Sequence, residues 1–392
     1  MPAPILIAGG GIGGLALALA LARNGRSSTV LEQQEDFAAA GAGIQLGPNG
    51  VRVLQRLGVA EALRPLVGEP EAIRIHNGRT GRTLASLPLG SWIAARHGAP
   101  YWVAHRGDLA GVLHAAAWAE PRIARRPGFA LASLVQTDGA VEATSAGGET
   151  VAGSALVGAD GLWSSVRRTI CPLPVPEFAG ATATRTVIPA AQTGGLAAPV
   201  VGLWLTPGVH VVHYPVRAGA EIAVVVIATE NWQGQGWEAA ADRPTLLAQI
   251  GGFHESLTQV LARVPEWRKW ALYRLPPLPR WTDGRVTLMG DAAHPMLPYL
   301  AQGGVLALED AAVLADCLGT YPGHEARAFG DFEAKRRRRA ERLQAASRRQ
   351  GRIYHLQPPL SWARDTILRL APGPWLMAGY DWLYAWQTDD VP

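Results

Sequence analysis

The sequence predicts an α/β protein with a doubly wound domain, an inserted domain built on an antiparallel sheet, and a helical segment at the C-terminus. Three observations predict this fold. A glycine-rich turn connects a buried strand to a helix near the N-terminus. Alternating apolar and polar segments with turn signals follow after residue 70. Helical patterns dominate from Gly303 onward and include one long stretch, Ala326–Gln350.

The N-terminal segment has the order strand, helix, strand. Pro4–Ala8 is typical of a short buried strand, Leu15–Ala22 of a helix that ends before Asn24 and Gly25, and Thr29–Leu31 of the next strand. This order opens a doubly wound parallel sheet. The segments expected to be antiparallel are Val135–Ala143, Thr182–Ile188, His210–Tyr214 and Ile222–Ile227.

Short buried strands like those of the N-terminal segment occur again later in the chain, so we expect the first domain to be discontinuous. Its expected parts are residues 1–75, 100–170 and 275–330. The inserted domain then comprises residues 76–99 and 171–274, and the C-terminal helical segment residues 331–392.

The composition excludes several classes of protein. Of the 392 residues, 48% are hydrophobic and 17% charged, which is typical of a globular chain. The longest apolar run, Ile12–Ala22, is too short for a membrane span, and Met1–Leu6 lacks the basic residues of an export signal. We therefore expect a cytoplasmic protein. Cys171 and Cys317 are too few for a disulfide framework or a thiolate metal site, and no metal site is expected.

A run of positive charge stands out against a net charge of +4. Lys335–Arg352 holds nine basic residues and Glu341, so this segment alone carries +8. It has a sparse apolar stripe and no aromatic residues between its arginines, which favours a solvated helix face over binding to nucleic acid or a membrane. We expect Arg336 to Arg339 to lie in solvent and to contribute nothing to catalysis.

The glycine-rich turn, Gly9–Gly14, fits the pattern G-x-G-x-x-G. Gly9 permits the tight turn, Gly11 lets a pyrophosphate approach the backbone, and Gly14 allows close packing of strand and helix. The helix that starts near Ile12 offers its free N–H groups. Glu32 ends the next strand, where a carboxylate accepts from ribose hydroxyls and disfavours a 2′-phosphate. A purely structural glycine turn is the alternative. The similar Gly234-Gln235-Gly236 follows no buried strand and is interpreted as a loop.

Two later strands end in aspartate. Ala155–Gly158 leads to Asp160, with Ser164 and Arg167 soon after, and Arg285–Met289 leads to Gly290 and Asp291. Side chains at the carboxyl ends of parallel strands face the crevice where ligands bind. Each signal is weak alone, because Asp138-Gly139 has the same composition and is interpreted as a hairpin turn.

Together these segments resemble the single-component FAD-dependent aromatic hydroxylases, with a fold like that of p-hydroxybenzoate hydroxylase. Further segments are similar to the same family: Gly41–Leu46, His105–Leu109, His210–Pro215 and Gln302–Asp310. The order Pro298–Val305 and the C-terminal Trp382-Leu383-Tyr384 resemble the salicylate and 3-hydroxybenzoate 6-hydroxylase branch. An asparagine that many members carry after their glycines is absent here.

The resemblance implies one FAD, bound non-covalently, and no second nucleotide-binding domain. It implies O2 and NAD(P)H as co-substrates, with NADH favoured over NADPH. It assigns Arg167 to a contact with NAD(P)H and leaves a homodimer open. From the charge pattern of the basic run, no nucleic-acid partner is expected. The residues that it assigns to FAD, besides the glycine turn and Glu32, are Arg106, Asp160, Asp291, Gly303, Gly304 and Val305.

The activity that the resemblance implies is hydroxylation of a small phenolic acid, 3-hydroxybenzoate or salicylate, through a flavin C4a-hydroperoxide. A hydroxypyridine or another N-heteroaromatic substrate is one alternative, and a flavin-binding protein without hydroxylation is another. An NAD-dependent dehydrogenase would leave Asp160 and Asp291 unexplained. Which ring is oxidised, and at which position, stays open at this point.

The chemistry needs a base, because ionising a phenol of pKa ~10 at pH 7 costs roughly 4 kcal/mol. The resemblance points to His210, with Tyr214 on the same face of its strand and His213 on the other. A core histidine is the alternative for either residue, and facing apart they cannot share a metal. Gln302 is expected to bind the phenolic oxygen, and His294 to be structural. The candidates for the apolar wall are Leu46, Leu203, Pro295, Leu297 and Pro298.

Overall fold

The computed structural model describes residues 3–35, 43–232 and 236–388. Gly41 and Ala42 of the expected segment Gly41–Leu46, and Gly234 and Gln235 of the second glycine pattern, lie outside these residues. The strands of the described part are, in chain order, β1 (Ile5–Ala8), β2 (Ser28–Leu31), β3 (Gly43–Leu46), β4 (Ala72–Asn77), β5 (Thr83–Pro88), β6 (Trp102–His105), β7 (Ile123–Arg126), β8 (Leu131–Gln136), β9 (Val141–Ser145), β10 (Thr150–Gly153), β11 (Ala155–Gly158), β12 (Glu177–Pro189), β13 (Val200–Thr206), β14 (Val209–Val216), β15 (Glu221–Thr229), β16 (Glu238–Ala240), β17 (Arg268–Arg274), β18 (Thr282–Asp283) and β19 (Val286–Leu288).

The α-helices connect these strands and form the C-terminal part of the chain. In the described residues they are α1 (Ile12–Arg23), α2 (Pro48–Arg56), α3 (Ala60–Leu63), α4 (Gly90–His97), α5 (Arg106–Ala119), α6 (Ser165–Ile170), α7 (Arg243–Ile250), α8 (Glu255–Leu261), α9 (Gly303–Thr320), α10 (Glu325–Tyr354), α11 (Leu360–Leu370), α12 (Gly373–Ala378) and α13 (Asp381–Tyr384). None of them is both long enough and apolar enough to cross a lipid bilayer.

The first sheet has six strands in the order β18-β19-β11-β1-β2-β7. All neighbours pair in parallel except β18 and β19. The chain leaves β1 towards β2 on one side and later returns to β11 on the other, so the strand order reverses between β1 and β11. That point is where a doubly wound sheet binds its ligand. It lies at Gly9 and Asp160, as the sequence predicts.

The second sheet has eight strands in the order β16-β17-β12-β15-β14-β13-β4-β5. It is antiparallel except for β4 and β13, which pair in parallel. One face packs on α7 and α8 through a separate apolar cluster that includes Trp204, Val211 and Val224. The other face is turned towards the first sheet. The expected domain boundary between residues 75 and 76 falls inside β4, because both residues pair with β13.

The basic run lies on α10, which packs against α9. The expectation of a solvated face is wrong for part of this run. Arg336 is completely buried and Arg339 is mostly buried, whereas Arg338 is exposed. Two acidic residues of α9, Glu309 and Asp310, draw the first two inward. The charge pattern of α10 alone does not reveal the charges on the neighbouring helix.

Candidate functional site

A cavity of about 430 Å³ lies between the carboxyl ends of the parallel strands and the free face of the eight-stranded sheet. Its volume is in the range of small-molecule binding sites. One end is lined mainly by glycine-rich backbone and the other by apolar and aromatic side chains. The backbone end contains Gly11, Ile12, Gly13, Gly161, Gly290, Gly303 and Gly304.

The glycine turn has the geometry that the sequence predicts. Gly9 has a φ of +108°, a conformation that L side chains rarely adopt. A Cβ on Gly14 would overlap the carbonyl oxygen of Gly9, whereas a Cβ on Gly11 would meet nothing within 4 Å. The turn is therefore closed on its inner side and open on the cavity side. The N–H groups at the start of α1 face that opening without helical acceptors.

Glu32 is held beside the turn. Its Oε2 accepts from the Gly10 N–H at 2.7 Å and its Oε1 from the Gln34 N–H at 2.9 Å. A carboxylate thus stands at the end of β2, next to the open edge of the glycine turn. The expected bond to a ribose hydroxyl stays a prediction.

Asp160 stabilises the loop after β11. Its Oδ2 accepts from the N–H groups of Ser165 and Val166 at 2.7 and 3.1 Å, while its buried Oδ1 has no partner among the described residues. Burial raises the pKa of the Asp160 carboxyl. Arg167 is buried as well and donates to the carbonyl oxygens of Leu162 and, at 2.8 Å, Ala292. These two bonds give Arg167 a structural role beside the loop after β11. Arg167 does not line the cavity, and its expected contact with NAD(P)H stays a prediction.

Asp291 and Arg106 both line the cavity. Desolvation raises the pKa of the Asp291 carboxyl, and the charges of His294 and Arg106 partly offset this. Beyond them, α9 begins at Gly303, and its first intrahelical bond runs from the Leu306 N–H to the Gln302 oxygen at 2.8 Å. The N–H groups before Leu306 are left without helical acceptors, and they give this end of the cavity a positive potential.

These features fit FAD. Two helix N-termini and an open glycine cradle can receive a pyrophosphate and an electron-rich ring, which need N–H donors and room beside the backbone. Of the expected FAD residues, Gly11, Ile12, Arg106, Asp291, Gly303 and Gly304 line the cavity. The others, Gly9, Gly14, Glu32, Asp160 and Val305, lie behind them and shape the backbone or the core.

The opposite wall consists of three rows of side chains that run across the eight-stranded sheet. Paired residues share a face, and alternate residues along a strand return to it. The first row is Ala183, Ile227, His210 and Leu205. The second is Arg185, Val225, Val212 and Leu203. The third is Val187, Ala223 and Tyr214. Val201, two residues before Leu203 on β13, lines the cavity on the same face.

His210 and Tyr214 therefore share the cavity face, as the alternation predicts, and both line the cavity. The ring of His210 lies within 6 Å of the rings of Tyr299 and Tyr354, and its Nδ1 is 2.8 Å from Nε2 of His355. Burial, reinforced by His355, places the pKa of His210 well below its ordinary value, so the imidazole is neutral. Burial raises the pKa of Tyr214.

His213 lies on the other face. Its ring packs beside Trp204 and over Gly202, where any Cβ would overlap it. Burial lowers the pKa of His213 to about 3. Its position agrees with the expectation that the two histidines point apart.

Four expected residues do not line the cavity. Gln302 is buried and accepts from Asn49 Nδ2 at 3.0 Å, so its side chain serves the packing of α2 against α9 instead of a phenolic oxygen. Leu46 is in the main core, and the carbonyl groups of Pro295 and Leu297 accept from side chains of α10. Leu203 and Pro298 do line it.

Two functional candidates are evident only from the structure. Arg185 lines the cavity in the second row and has no hydrogen-bond or ion-pair partner among the described residues. Its guanidinium lies over the ring of Trp270 at 5.3 Å. His355, the partner of His210, comes directly after α10. Arg185 and His355 are single residues that lie far along the chain from the motifs. For Arg185, the pairing of β12 with β15 shows that its side chain lies on the cavity face.

A buried ionic cluster holds the backbone end in place. Arg336 donates to Asp310 at 2.7 Å and to Glu309 at 2.8 Å, and Arg339 donates twice to Glu309 at 2.6 Å. Asp310 Oδ2 also accepts from the Gly290 N–H at 2.9 Å and lies 2.6 Å from Nε2 of His294. The cluster thus connects α10, α9 and the Gly290 turn, and it gives His294 the structural role that the sequence predicts.

Known proteins resemble this chain over nearly its whole length. The family described as "FAD binding domain" matches residues 2–347. A 3-hydroxybenzoate 6-hydroxylase of Klebsiella oxytoca is 33% identical over 388 residues, which cover 98% of this chain and 97% of the relative. A 3-amino-4-hydroxybenzoate 2-monooxygenase of Streptomyces platensis is 36% identical over 390 residues, covering 99% and 97%.

Solved structures show the same fold. The complex of Klebsiella pneumoniae HpxO with FAD and uric acid has a TM-score of 0.86 at 24% identity and covers 99% of this chain and 97% of its own. A salicylate hydroxylase substrate complex has a TM-score of 0.84 at 24% identity, again covering 99% and 97%. The identity of about one third extends over nearly the whole chain, so it includes both the cofactor end and the sheet that forms the opposite cavity wall. A shared nucleotide-binding turn alone would not produce it. The protein therefore belongs to the FAD-dependent aromatic-ring monooxygenases.

Proposed function

We propose that the protein hydroxylates a small aromatic acid that carries both a carboxylate and a ring hydroxyl, with 3-hydroxybenzoate or salicylate as the first candidates. The observation that carries this proposal is the Arg185 guanidinium, which lines the cavity without a hydrogen-bonding partner among the described residues. Burial lowers the pKa of Arg185, but an arginine starts from so high a pKa that the guanidinium stays charged at neutral pH. A desolvated cation without a counter-ion favours an anionic ligand.

The distance across the sheet suits one aromatic ring. Arg185 and His210 are two strands and two residues apart, which places their Cα atoms about 12 Å from each other. Both side chains point into the cavity, so a single ring with its two substituents bridges them. Burial lowers the pKa of Arg185 and raises the pKa of Tyr214, and the two groups lie close enough for each to offset part of this effect on the other. Tyr214 is therefore placed to donate to the same carboxylate.

The ring hydroxyl then lies towards His210, whose neutral imidazole can accept its proton. Deprotonation makes the ring electron-rich, which an electrophilic oxygen requires. FAD, once reduced, supplies that activated oxygen from O2. The apolar side chains Leu203, Val212 and Val225 exclude water around the ring, which strengthens every charge interaction in the cavity.

The names of several relatives support this class of substrate. They include 3-hydroxybenzoate, 3-amino-4-hydroxybenzoate and, for a Pseudomonas fluorescens enzyme, 6-hydroxynicotinate. Each of these acids combines a carboxylate with a ring hydroxyl. Because 6-hydroxynicotinate is among these names, an N-heteroaromatic acid is the second candidate substrate. The cavity would bind it through its carboxylate and its ring hydroxyl in the same way.

The test is the variant Arg185→Met, with 3-hydroxybenzoate compared with its uncharged amide. We expect weaker binding of the acid by about tenfold to a hundredfold, because a charge-assisted hydrogen bond contributes about 1.5–3 kcal/mol. Binding of the amide should hardly change. Arg263→Met, which removes an exposed arginine of the same sheet domain, is the matched control. Equal losses for acid and amide would contradict the proposed role of Arg185, and a wild type that hydroxylates no aromatic acid would contradict the function.

We further propose that FAD is held non-covalently and that NADH is preferred over NADPH. Cys171 and Cys317 do not line the cavity, and His294 is bonded to Asp310, so none of these side chains is placed for a covalent link. Acid precipitation should leave the flavin in the supernatant. Initial rates with the two nucleotides at equal concentration test the preference, which rests on the branch resembled.

A cytoplasmic location and a homodimer are proposals of the same kind, tested by cell fractionation and by size-exclusion chromatography.

A further inference from the structure

A chain of hydrogen bonds leads from the cavity wall to the protein surface. His210 Nδ1 lies 2.8 Å from His355 Nε2, and His355 Nδ1 lies 3.3 Å from the hydroxyl oxygen of Thr229. Thr229 is the last residue of β15 and is exposed. The Nε2 atom of His210 has no hydrogen-bond partner among the described residues, and His210 lines the cavity. The two rings are therefore the links between the buried wall and solvent.

We infer that His210 and His355 form a proton relay that carries the phenolic proton of the substrate out of the closed cavity. This inference rests on the proposed function and deepens it. His210 is the catalytic residue, since it touches the substrate, and His355 acts through it as a positioning and proton-transfer residue. Neither the glycine motifs nor the segments of the family resemblance contain His355.

The bonding pattern requires matched tautomers. When His210 Nδ1 carries a hydrogen, it donates to His355 Nε2, and His355 Nδ1 in turn carries the hydrogen that faces Thr229. His210 Nε2 then has a free lone pair for the substrate hydroxyl. As Nε2 takes the phenolic proton, the Nδ1 hydrogen passes to His355 Nε2. The His355 Nδ1 hydrogen passes to water, either directly or through the Thr229 hydroxyl, which accepts it and releases its own hydrogen to water. One proton enters, one leaves, and both rings end neutral.

The surroundings of the two rings explain why the proton must move on. Burial holds the pKa of His210 well below its ordinary value and lowers that of His355 to about 4, with help from the charge of Arg364. A cation on either ring is thus unfavourable, and a concerted transfer through both avoids forming one. The other groups that face this pair are Tyr299, Tyr354 and Thr229. None of them carries a charge at neutral pH.

The relay also works in the opposite direction. After one transfer each ring carries its hydrogen on the other nitrogen, so His210 Nε2–H points into the cavity and His355 Nε2–H donates to His210 Nδ1. In this state the pair can return a proton from solvent to a negatively charged product or reaction partner. Release of that proton restores the starting tautomers.

The experiment measures proton release on substrate binding. FAD-loaded protein is mixed rapidly with 3-hydroxybenzoate, and phenolate formation is followed by its ultraviolet absorbance and proton release by a pH indicator. At pH 7 we expect His355→Gln, which keeps a hydrogen-bonding amide but cannot relay a proton, to slow phenolate formation at least about tenfold. In His355→Ala, added imidazole should restore the rate. His324→Gln, an exposed histidine at the start of α10, is the control and should behave as wild type.

The pH dependence separates a relay from a structural contribution. Near pH 10, close to the pKa of a phenol, about half of the substrate arrives already ionised, so the deficit of His355→Gln should be clearly smaller than at pH 7. A deficit of the same size at pH 7 and pH 10, an unchanged rate at pH 7, or a failure of imidazole to restore His355→Ala would each overturn the relay. If wild type hydroxylates no phenolic acid, the proposed function is refuted. If wild type does hydroxylate and His355→Gln forms phenolate at the same rate, the relay alone is refuted.

Discussion

Replacing Arg336 with methionine should destabilise the whole protein, although sequence alone places this residue in a solvated run. The Arg336 side chain is completely buried and bridges Glu309 and Asp310. Methionine fills a similar volume but removes the charge, so the variant tests the ion pairs more than the packing. Asp310 keeps His294, and Glu309 keeps Arg339 and Asn49.

The size of the loss follows from these contacts. Two charge-assisted hydrogen bonds disappear, each of about 1.5–3 kcal/mol, and breaking a buried ion pair by removing one partner typically costs about 3–5 kcal/mol. The remaining partners compensate part of the buried negative charge, so we expect a loss near the lower end, about 3 kcal/mol. Against a typical stability of about 5–15 kcal/mol, that loss is large.

Urea unfolding followed by tryptophan fluorescence is the assay. Arg338→Met is the matched control, because Arg338 lies two residues away in the same helix and is exposed. We expect the control to stay within about 0.5 kcal/mol of wild type. If Arg336→Met unfolds at the same urea concentration as Arg338→Met, the buried cluster does not stabilise the fold as argued.

The pH dependence of the same measurement has a defined sign. Burial alone would raise the pKa values of Glu309 and Asp310, but Arg336 together with Arg339 and His294 overcomes this and holds both below their ordinary values. A depressed carboxyl pKa contributes stability that is present above the pKa of the unfolded chain, about 4, and is lost as pH falls below it. The gap between wild type and Arg336→Met should therefore narrow in acid. A gap that widens below pH 4 would contradict the assignment.

Two further predictions concern the glycine turn and the second histidine. Gly11→Ala should fold normally but bind FAD at least about tenfold more weakly, because its Cβ enters the open space on the cavity side. Equal flavin content in wild type and Gly11→Ala would refute this prediction. Gly14→Ala should instead lower the urea midpoint of unfolding, because its Cβ overlaps the carbonyl oxygen of Gly9. The pKa of His213 is lowered to about 3, so the unfolded chain takes up a proton below about 6.5 that the folded protein does not. Relative to His213→Leu, wild type should lose up to about 1.4 kcal/mol of stability per pH unit as pH falls through that window, measured by urea titration at several pH values.

The cofactor end of the cavity was predictable because local backbone chemistry specifies it. A tight turn with positive φ requires glycine at Gly9, and the close approach of strand and helix requires it at Gly14. Such requirements appear in the sequence as short patterns at fixed spacing. The strand alternation that puts His210 and Tyr214 on one face is equally local, and the structure agrees with it.

The polar contacts between distant elements were not predictable in this way. Arg185 belongs to the cavity because of how β12 pairs with β15, and His355 because the end of α10 lies beside β14. The basic run illustrates the same point, since charge patterning along α10 cannot show that Glu309 and Asp310 of α9 lie opposite Arg336. The position of Gln302 outside the cavity lining has a related reason, because the Asn49 side chain of α2 donates to its amide oxygen.

The buried cluster makes the two ends of the cavity dependent on one helix. Near its middle, α10 holds the Gly290 turn and α9 through Arg336, and at its end it leads directly into His355 beside the substrate wall. The flavin cradle and the proposed proton exit are therefore positioned by a single rigid element of 30 residues. Because a helix transmits its position along its length, Arg336 and Arg339, which fix α10 against α9, also fix the distance between the cofactor end and the proposed base His210. These two arginines do not line the cavity, yet they hold in place the helix that connects its two ends.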